Sequence, residues 1–210
     1  MSSQPSPAAR ADPSGAQTYD VYFVVTGGGF RIHWRNPNHG LTVDADGLAF
    51  TADGSPRRAA WTDIAAVHLQ VAALGNAQNI IDQCKIEFAD GSAIVVSNAA
   101  ASGLPSAAQT PVYRDFVRAL HAHLAGRADG TTRFTAGMSP VRYKALLVTL
   151  VVAGLFFIAT PLVLMLVTGD WTALYIAGGG VFLLFPFIGF LAKSAPRAYT
   201  PDALPDELLS

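Results

Sequence analysis

Cysteine is almost missing from this chain, with one residue, Cys84, in 210. A single thiol forms no internal disulfide and builds no thiolate metal site, so oxidative stapling is excluded. Charge is scarce as well, at 14% against roughly 25% in an average soluble protein. The 14 basic and 15 acidic residues leave a net charge of -1. That balance holds no cationic surplus of the kind a nucleic-acid reader needs to neutralise phosphates. The N-terminal stretch MSSQPSPAARADPSGAQ lacks the apolar core of a signal peptide. What the chain has in excess is apolar side chains, 51% of the total, with a mean hydropathy of +0.33.

The few charges are unevenly placed. Between Lys144 and Lys193 only Asp170 is charged, and it separates two uncharged runs, 145–167 and 171–192. A bilayer core of roughly 30 Å takes about 20 apolar residues at 1.5 Å each, so either run is long enough to cross. Gly178, Gly179, Gly180 and Pro186 weaken a soluble helix but are tolerated in a membrane. Ser139 is a candidate cap and Pro140 a first-turn residue, which predicts a two-helix transmembrane hairpin over 140–192. Arg133, Arg142, Lys144, Lys193 and Arg197 flank it on one side, against Asp170 in the turn. The positive-inside rule then puts both termini in the cytoplasm and Trp171 and Tyr175 at the far interface, in a multi-pass protein of the cell (inner) membrane.

The residues ahead of this hairpin have a different rhythm. Residues 1–18, rich in Ser, Pro, Ala and Gly, are expected to be disordered. Tyr19–Thr26 is a β-type run, and after Gly27–Gly29 the segment FRIHWR alternates, with Phe30, Ile32 and Trp34 on one face. Val67, Leu69 and Val71 are expected inward. In QCKIEF, Cys84, Ile86 and Phe88 face inward, and Asp90-Gly91 turns the chain into SAIVVSN, a strong hairpin signal. Thr110, Pro111 and Gly126 bracket one helix whose Val112, Phe116, Leu120 and Leu124 fall four apart. About six to seven antiparallel strands and this helix make one domain over 19–126. A linker over 127–139 and a tail over 193–210 complete the chain.

The stretch from LTVDADGLAF through WTDI to the Asp-Gly hairpin and YRDFVRALHAHL resembles bacterial pleckstrin-homology-like (PH-like) domains. The resemblance implies an α+β fold, a PH-like antiparallel β-barrel or curved sheet closed by one C-terminal amphipathic helix. Many such domains adjoin transmembrane helices. A membrane-tethered binding or scaffolding protein is the expected function, an accessory or assembly subunit contacting other membrane proteins, with a peripheral sensor of anionic lipid headgroups as the alternative.

Residues that carry chemistry elsewhere have plainer readings here. Arg31, His33 and Arg35 share a strand face beside the glycine triplet and are candidate contacts for an anionic lipid headgroup or a partner. Residues 1–141 nevertheless balance 10 basic against 11 acidic side chains, which favours a solvated strand face. The triplet lacks the Lys-Ser/Thr ending of a phosphate loop. His121 and His123 lie about 200° apart on a helix and read as last-turn residues favouring its C-terminus. His33 and His68 fall on outward strand faces and His39 in a loop. No metal-ligand spacing or nucleophile elbow is present, so no catalytic, cofactor-binding or metal-binding residues are assigned and no enzyme activity is expected. The tail AYTPDALPDELLS reads as a solvated end or as a segment that docks Leu204, Leu208 and Leu209 on an apolar groove of its own domain or of a partner.

Overall fold

The structure, a computed structural model, describes residues 10–11, 15–27, 38–52, 54–73, 80–126, 131–169 and 171–204. The chain divides into two compact units. One comprises Met1–Ala136 with Ala198–Ser210, and the other Gly137–Arg197.

The first unit is α+β. Its strands are β1 (Arg10–Ala11), β2 (Gln17–Gly27), β3 (Asn38–Val43), β4 (Gly47–Ala52), β5 (Ser55–Ala60), β6 (Ile64–Ala73), β7 (Ile80–Phe88), β8 (Ser92–Ser97), β9 (Arg133–Ala136) and β10 (Arg197–Ala198). They form one large sheet in the order β10-β9-β6-β7-β8-β2-β3-β4-β5, with β1 pairing β2. The order runs from β10 to β5 without joining its ends, so the sheet is open where a barrel was one expectation. Neighbours are antiparallel from β6 to β5, whereas β9 lies parallel to β6, with Phe134 beside Val67. More strands are present than the sequence predicts. β1 falls in the stretch expected to be disordered and β9 in the stretch expected to be a linker; both are short and pair through backbone groups, which side-chain periodicity does not reveal.

Alternation sets the register of the central hairpin. Cys84 and Ile86 are fully buried and Phe88 nearly so, and Cys84 pairs with Val96 and Ile86 with Ile94. Gly91 closes this hairpin with a φ of 83°, a conformation that costs glycine least. Gln83, on the opposite face of β7 from Cys84, is also buried, and its side-chain oxygen accepts from Gln70 Nε2 at 2.7 Å. β8 is buried on both faces, as befits a strand near the middle of the sheet.

Helix α1 (Gln109–Ala125) packs on the sheet through two adjacent rows of fours, Val112–Phe116–Leu120–Leu124 and Tyr113–Val117–His121. The second row widens the apolar stripe and carries His121 inward, a correction to the reading of that residue as a last-turn polar group. Tyr19 meets Phe116 edge-on, with ring centres 5.6 Å apart, joining β2 to the helix. Trp61, in the single helical turn Trp61–Asp63, donates its indole N–H to the carbonyls of Asp44 and Ala45, both at 3.1 Å, and stacks on His123. Asp63 Oδ2 accepts the Ala60 N–H at 3.0 Å, so the WTDI segment holds its bend by side-chain-to-backbone bonding.

The second unit is helical. α2 (Pro140–Gly154), a π-helical turn (Leu155–Ala159) and α3 (Thr160–Thr168) run on as one helix, and α4 (Ala173–Lys193) follows. Ser139 serves the helix start through its carbonyl, which accepts the Tyr143 N–H at 2.9 Å. Pro161 has no N–H for the carbonyl four residues earlier, Phe157, and the helix widens to π spacing just before it. Gly180 of α4 sits against that point: a Cβ there would lie 2.8 Å from the Phe157 carbonyl oxygen. Among the described residues, one helix is long and apolar enough to cross a membrane, Pro140–Thr168, 29 residues with mean hydropathy 2.7 over its most apolar window. In α4 the comparable apolar stretch, Gly178–Gly189, is shorter.

Candidate functional site

Two groups of polar side chains are built into the sheet unit, one at each end of α1. The first gathers where β7 begins. Asp82 and Asn98 are buried and doubly joined through the backbone: Asn98 Oδ1 accepts the Asp82 N–H at 3.0 Å, and the Asn98 N–H reaches the Asp82 carbonyl at 3.2 Å. Asn98 Nδ2 also donates to Asp82 Oδ2 at 3.3 Å. Asp82 Oδ1, the Tyr113 hydroxyl, Gln109 Oε1 and Arg114 Nε are buried with no hydrogen-bond partner. Burial pushes the Asp82 carboxyl up to about 6, and the Arg114 charge offsets only part of that. The Tyr113 phenol is pushed well above its usual range by burial first, then by Cys84 and Asp82 nearby.

The second group sits at the other end of the helix. His121 is 1% exposed. Its Nδ1 lies 2.7 Å from the Val117 carbonyl, which can only accept, so Nδ1 carries the proton of the neutral ring. Nε2 is therefore an acceptor, and the Tyr199 hydroxyl donates to it at 2.8 Å. Burial lowers the pKa of His121, against a smaller opposing effect of the Val117 bond. Phe134 of β9 packs edge-on to Tyr199, and the Tyr199 N–H donates to the Phe134 carbonyl at 3.3 Å. Beside this cluster lies an open groove of about 440 Å³, walled by the end of α1, by β9 and by Ala198–Pro201. It is the kind of concave apolar surface that takes a few side chains of a ligand or peptide.

The residues nominated from sequence are distributed as follows. Arg31, His33 and Arg35 lie outside the described residues, as do Leu208 and Leu209. Leu204 is partly buried against the core of the sheet unit, as is Tyr199. His39 belongs to β3 and not to a loop; it pairs with Asp20 and packs on Tyr22. His68 bonds Thr135 across β6 and β9 at 2.8 Å. Cys84 is buried, and burial drives its thiol pKa far up, as for an inert core residue. No group of three or more His, Cys, Asp or Glu suited to a metal ion occurs among the described residues.

Sequence reasoning missed His121, Tyr199, Asp82 and Asn98 as a set. The spacing of His121 four residues after Val117 and eight after Tyr113 was the available signal for its burial. Nothing local links it to a tyrosine 78 residues away. No protein-family model matches this chain and no curated protein is similar to it.

Proposed function

We propose that this chain is a two-span membrane protein whose sheet unit is a PH-like binding or scaffolding domain, acting as an accessory or assembly subunit that contacts other membrane proteins. The observation that carries the reading is the exposure of the helical unit. Along Pro140–Thr168, Val148, Val152, Phe156, Val163 and Val167 are each more than half exposed, with no polar face to set against them. An apolar surface of this extent is stable only against lipid or a partner. In α4, Phe182, Phe185 and Ile188 are exposed likewise, which supports a second crossing. Arg142, Lys144, Lys193 and Arg197 flank the pair, and this asymmetry supports cytoplasmic termini in a bacterial inner membrane. The PH-like reading is supported by the antiparallel β6-β7-β8 order, the WTDI bend and the helix that follows the strands.

The open groove beside Tyr199 is a contact surface on the sheet unit and supports a binding role. The test is topological. The full chain is expected to resist alkaline carbonate extraction, and reporters fused at either terminus to read cytoplasmic while one at Asp170 reads external. Release into the soluble fraction, or a cytoplasmic reporter at Asp170, would overturn the two-span reading. Co-purification in mild detergent then identifies the partner.

A further inference from the structure

Among the described residues, the buried polar atoms without a hydrogen-bond partner all gather at the start of α1. Gln109 and Tyr113 lie one helical turn apart on the same row, and Arg114 follows Thr110 at the same spacing. Asn98 fastens that end of the helix to β7, for its Nδ2 reaches the Thr110 hydroxyl at 3.4 Å and Asp82 Oδ2 at 3.3 Å. The Arg114 charge acts on Asp82, and Asp82 acts on the Tyr113 phenol, so guanidinium, carboxylate and phenol lie within electrostatic reach of one another. We propose that Asp82 Oδ1, Gln109 Oε1, the Tyr113 hydroxyl and Arg114 Nε together bind an internal water, which bridges the first turns of α1 to the first residues of β7. The site belongs to the sheet unit and stands apart from whether the helices cross a membrane.

Three observations carry it. The first is burial. Asp82 and Tyr113 are both 0% exposed, and all four atoms are closed off from solvent. Folded domains seldom leave one such group unsatisfied, so four at one end of one helix call for a shared partner. The second is the match of donors to acceptors. Arg114 Nε–H can only donate, the Asp82 carboxylate and the Gln109 amide oxygen can only accept, and the Tyr113 hydroxyl does either. A water carries two donors and two acceptors, and a buried one typically uses two to four of them. The third is charge. A cation would leave the Arg114 N–H without an acceptor and would meet the guanidinium, while an anion would meet the Asp82 carboxylate. A neutral molecule that both donates and accepts answers every group, and enclosure beneath the helix limits it to the size of water.

X-ray hydroxyl-radical footprinting of the full chain in detergent tests this, because radicals formed from a bound water oxidise the side chains beside it where bulk solvent does not reach. Tyr19 is the internal control, a tyrosine 1% exposed that packs on Phe116 of the same helix. Tyr113 is expected to be oxidised several times faster than Tyr19. Equal rates for the two tyrosines overturn the proposal. Asp82→Leu replaces an acceptor by an apolar group of similar size and is expected to bring Tyr113 down to the rate of Tyr19. An excess that survives this change means the radicals do not come from a water held by Asp82, and overturns the proposal as well. Should Asp82→Leu fail to fold, Gln109→Leu repeats the comparison from the helix side, with a smaller excess expected. Exchanging choline chloride for sodium or potassium chloride should leave the Tyr113 rate unchanged, and a loss of the excess in either salt would assign the site to a cation instead.

Discussion

The hydroxyl of Tyr199 donates to Nε2 of His121 at 2.8 Å, tying the returning end of the chain to the last turns of α1. The chain leaves the sheet unit after Ala136 and rejoins it at Ala198, and the Tyr199–Phe134 backbone bond makes those two points neighbours. The residues of the sheet unit's hydrophobic core all come from the chain up to Ala136 or after Ala198, so the core is assembled from the two flanks of the helical segment. The closing contact is polar where most of the core is apolar, and a buried polar pair specifies one partner more sharply than an apolar contact does.

Removing the Tyr199 hydroxyl tests that specificity. Tyr199→Phe keeps the ring packing on Phe134 but leaves His121 Nε2 buried and unpaired, at a cost of about 1–3 kcal/mol. Chemical denaturation followed by the near-ultraviolet signal of the sheet unit should show that loss. An unchanged midpoint would mean the bond contributes nothing net. The pH dependence has a defined sign. The pKa of His121 is lowered in the folded state, so the unfolded chain binds the extra proton more readily. The stability it contributes is complete above the unfolded value of about 6.5 and is lost as pH falls through the folded value.

Asp82 works in the opposite sense. Its folded pKa is raised to about 6, so the folded state holds the proton more tightly than the unfolded one. Stability from this group is therefore complete below the ordinary value near 4 and falls as pH rises through about 6. Asp82→Asn removes the buried charge while keeping the shape and an acceptor oxygen. It is expected to stabilise the domain on the order of 2–3 kcal/mol at pH 7 and by much less at pH 4. Denaturation midpoints of the two proteins across that range measure the difference. A constant gap, or none, would show that Asp82 is not held as a strained carboxylate.

These two polar groups mark where the sequence stops being legible. Alternation around Cys84, Ile86 and Phe88, the Asp-Gly turn and the fourfold spacing in α1 are local signals, and each led to the element found there. Strand β9 has four residues, too few for a period, and it pairs in parallel with a strand more than sixty positions earlier. His121 looked polar because one row of the helix was counted where two are buried. Only the three-dimensional partner, Tyr199, turns that histidine into a core residue. The apolar runs after Pro140 were visible from composition, whereas the π turn before Pro161 depends on a backbone vacancy that hydropathy does not register.

Cys84 gives a direct check of strand register. Its full burial on the core face of β7 predicts that a thiol reagent leaves the native protein unmodified until denaturant is added. Lys85, its neighbour on the other face, should by contrast acylate readily. Rapid labelling of Cys84 in the native state would mean β7 is displaced by one residue, since a single step exchanges the two faces.

The glycines of α4 separate packing from propensity. Gly178 has open space where a Cβ would go, whereas at Gly180 a Cβ would stand 2.8 Å from the Phe157 carbonyl oxygen and 2.9 Å from its Cβ. On helix propensity alone each Gly→Ala change stabilises by about 0.5–1 kcal/mol. Gly178→Ala is expected to follow that rule. Gly180→Ala must instead push the two helices apart at the Phe157 carbonyl, which lacks its usual helical donor because Pro161 follows. Close glycine approach allows a Cα–H to face that oxygen, a weak but recurrent contact between packed helices. The expected result is a loss of about 1–3 kcal/mol, typical of overpacking, read as a lower thermal midpoint of the helical unit in detergent. If both variants gain stability equally, the helices do not pack through Gly180.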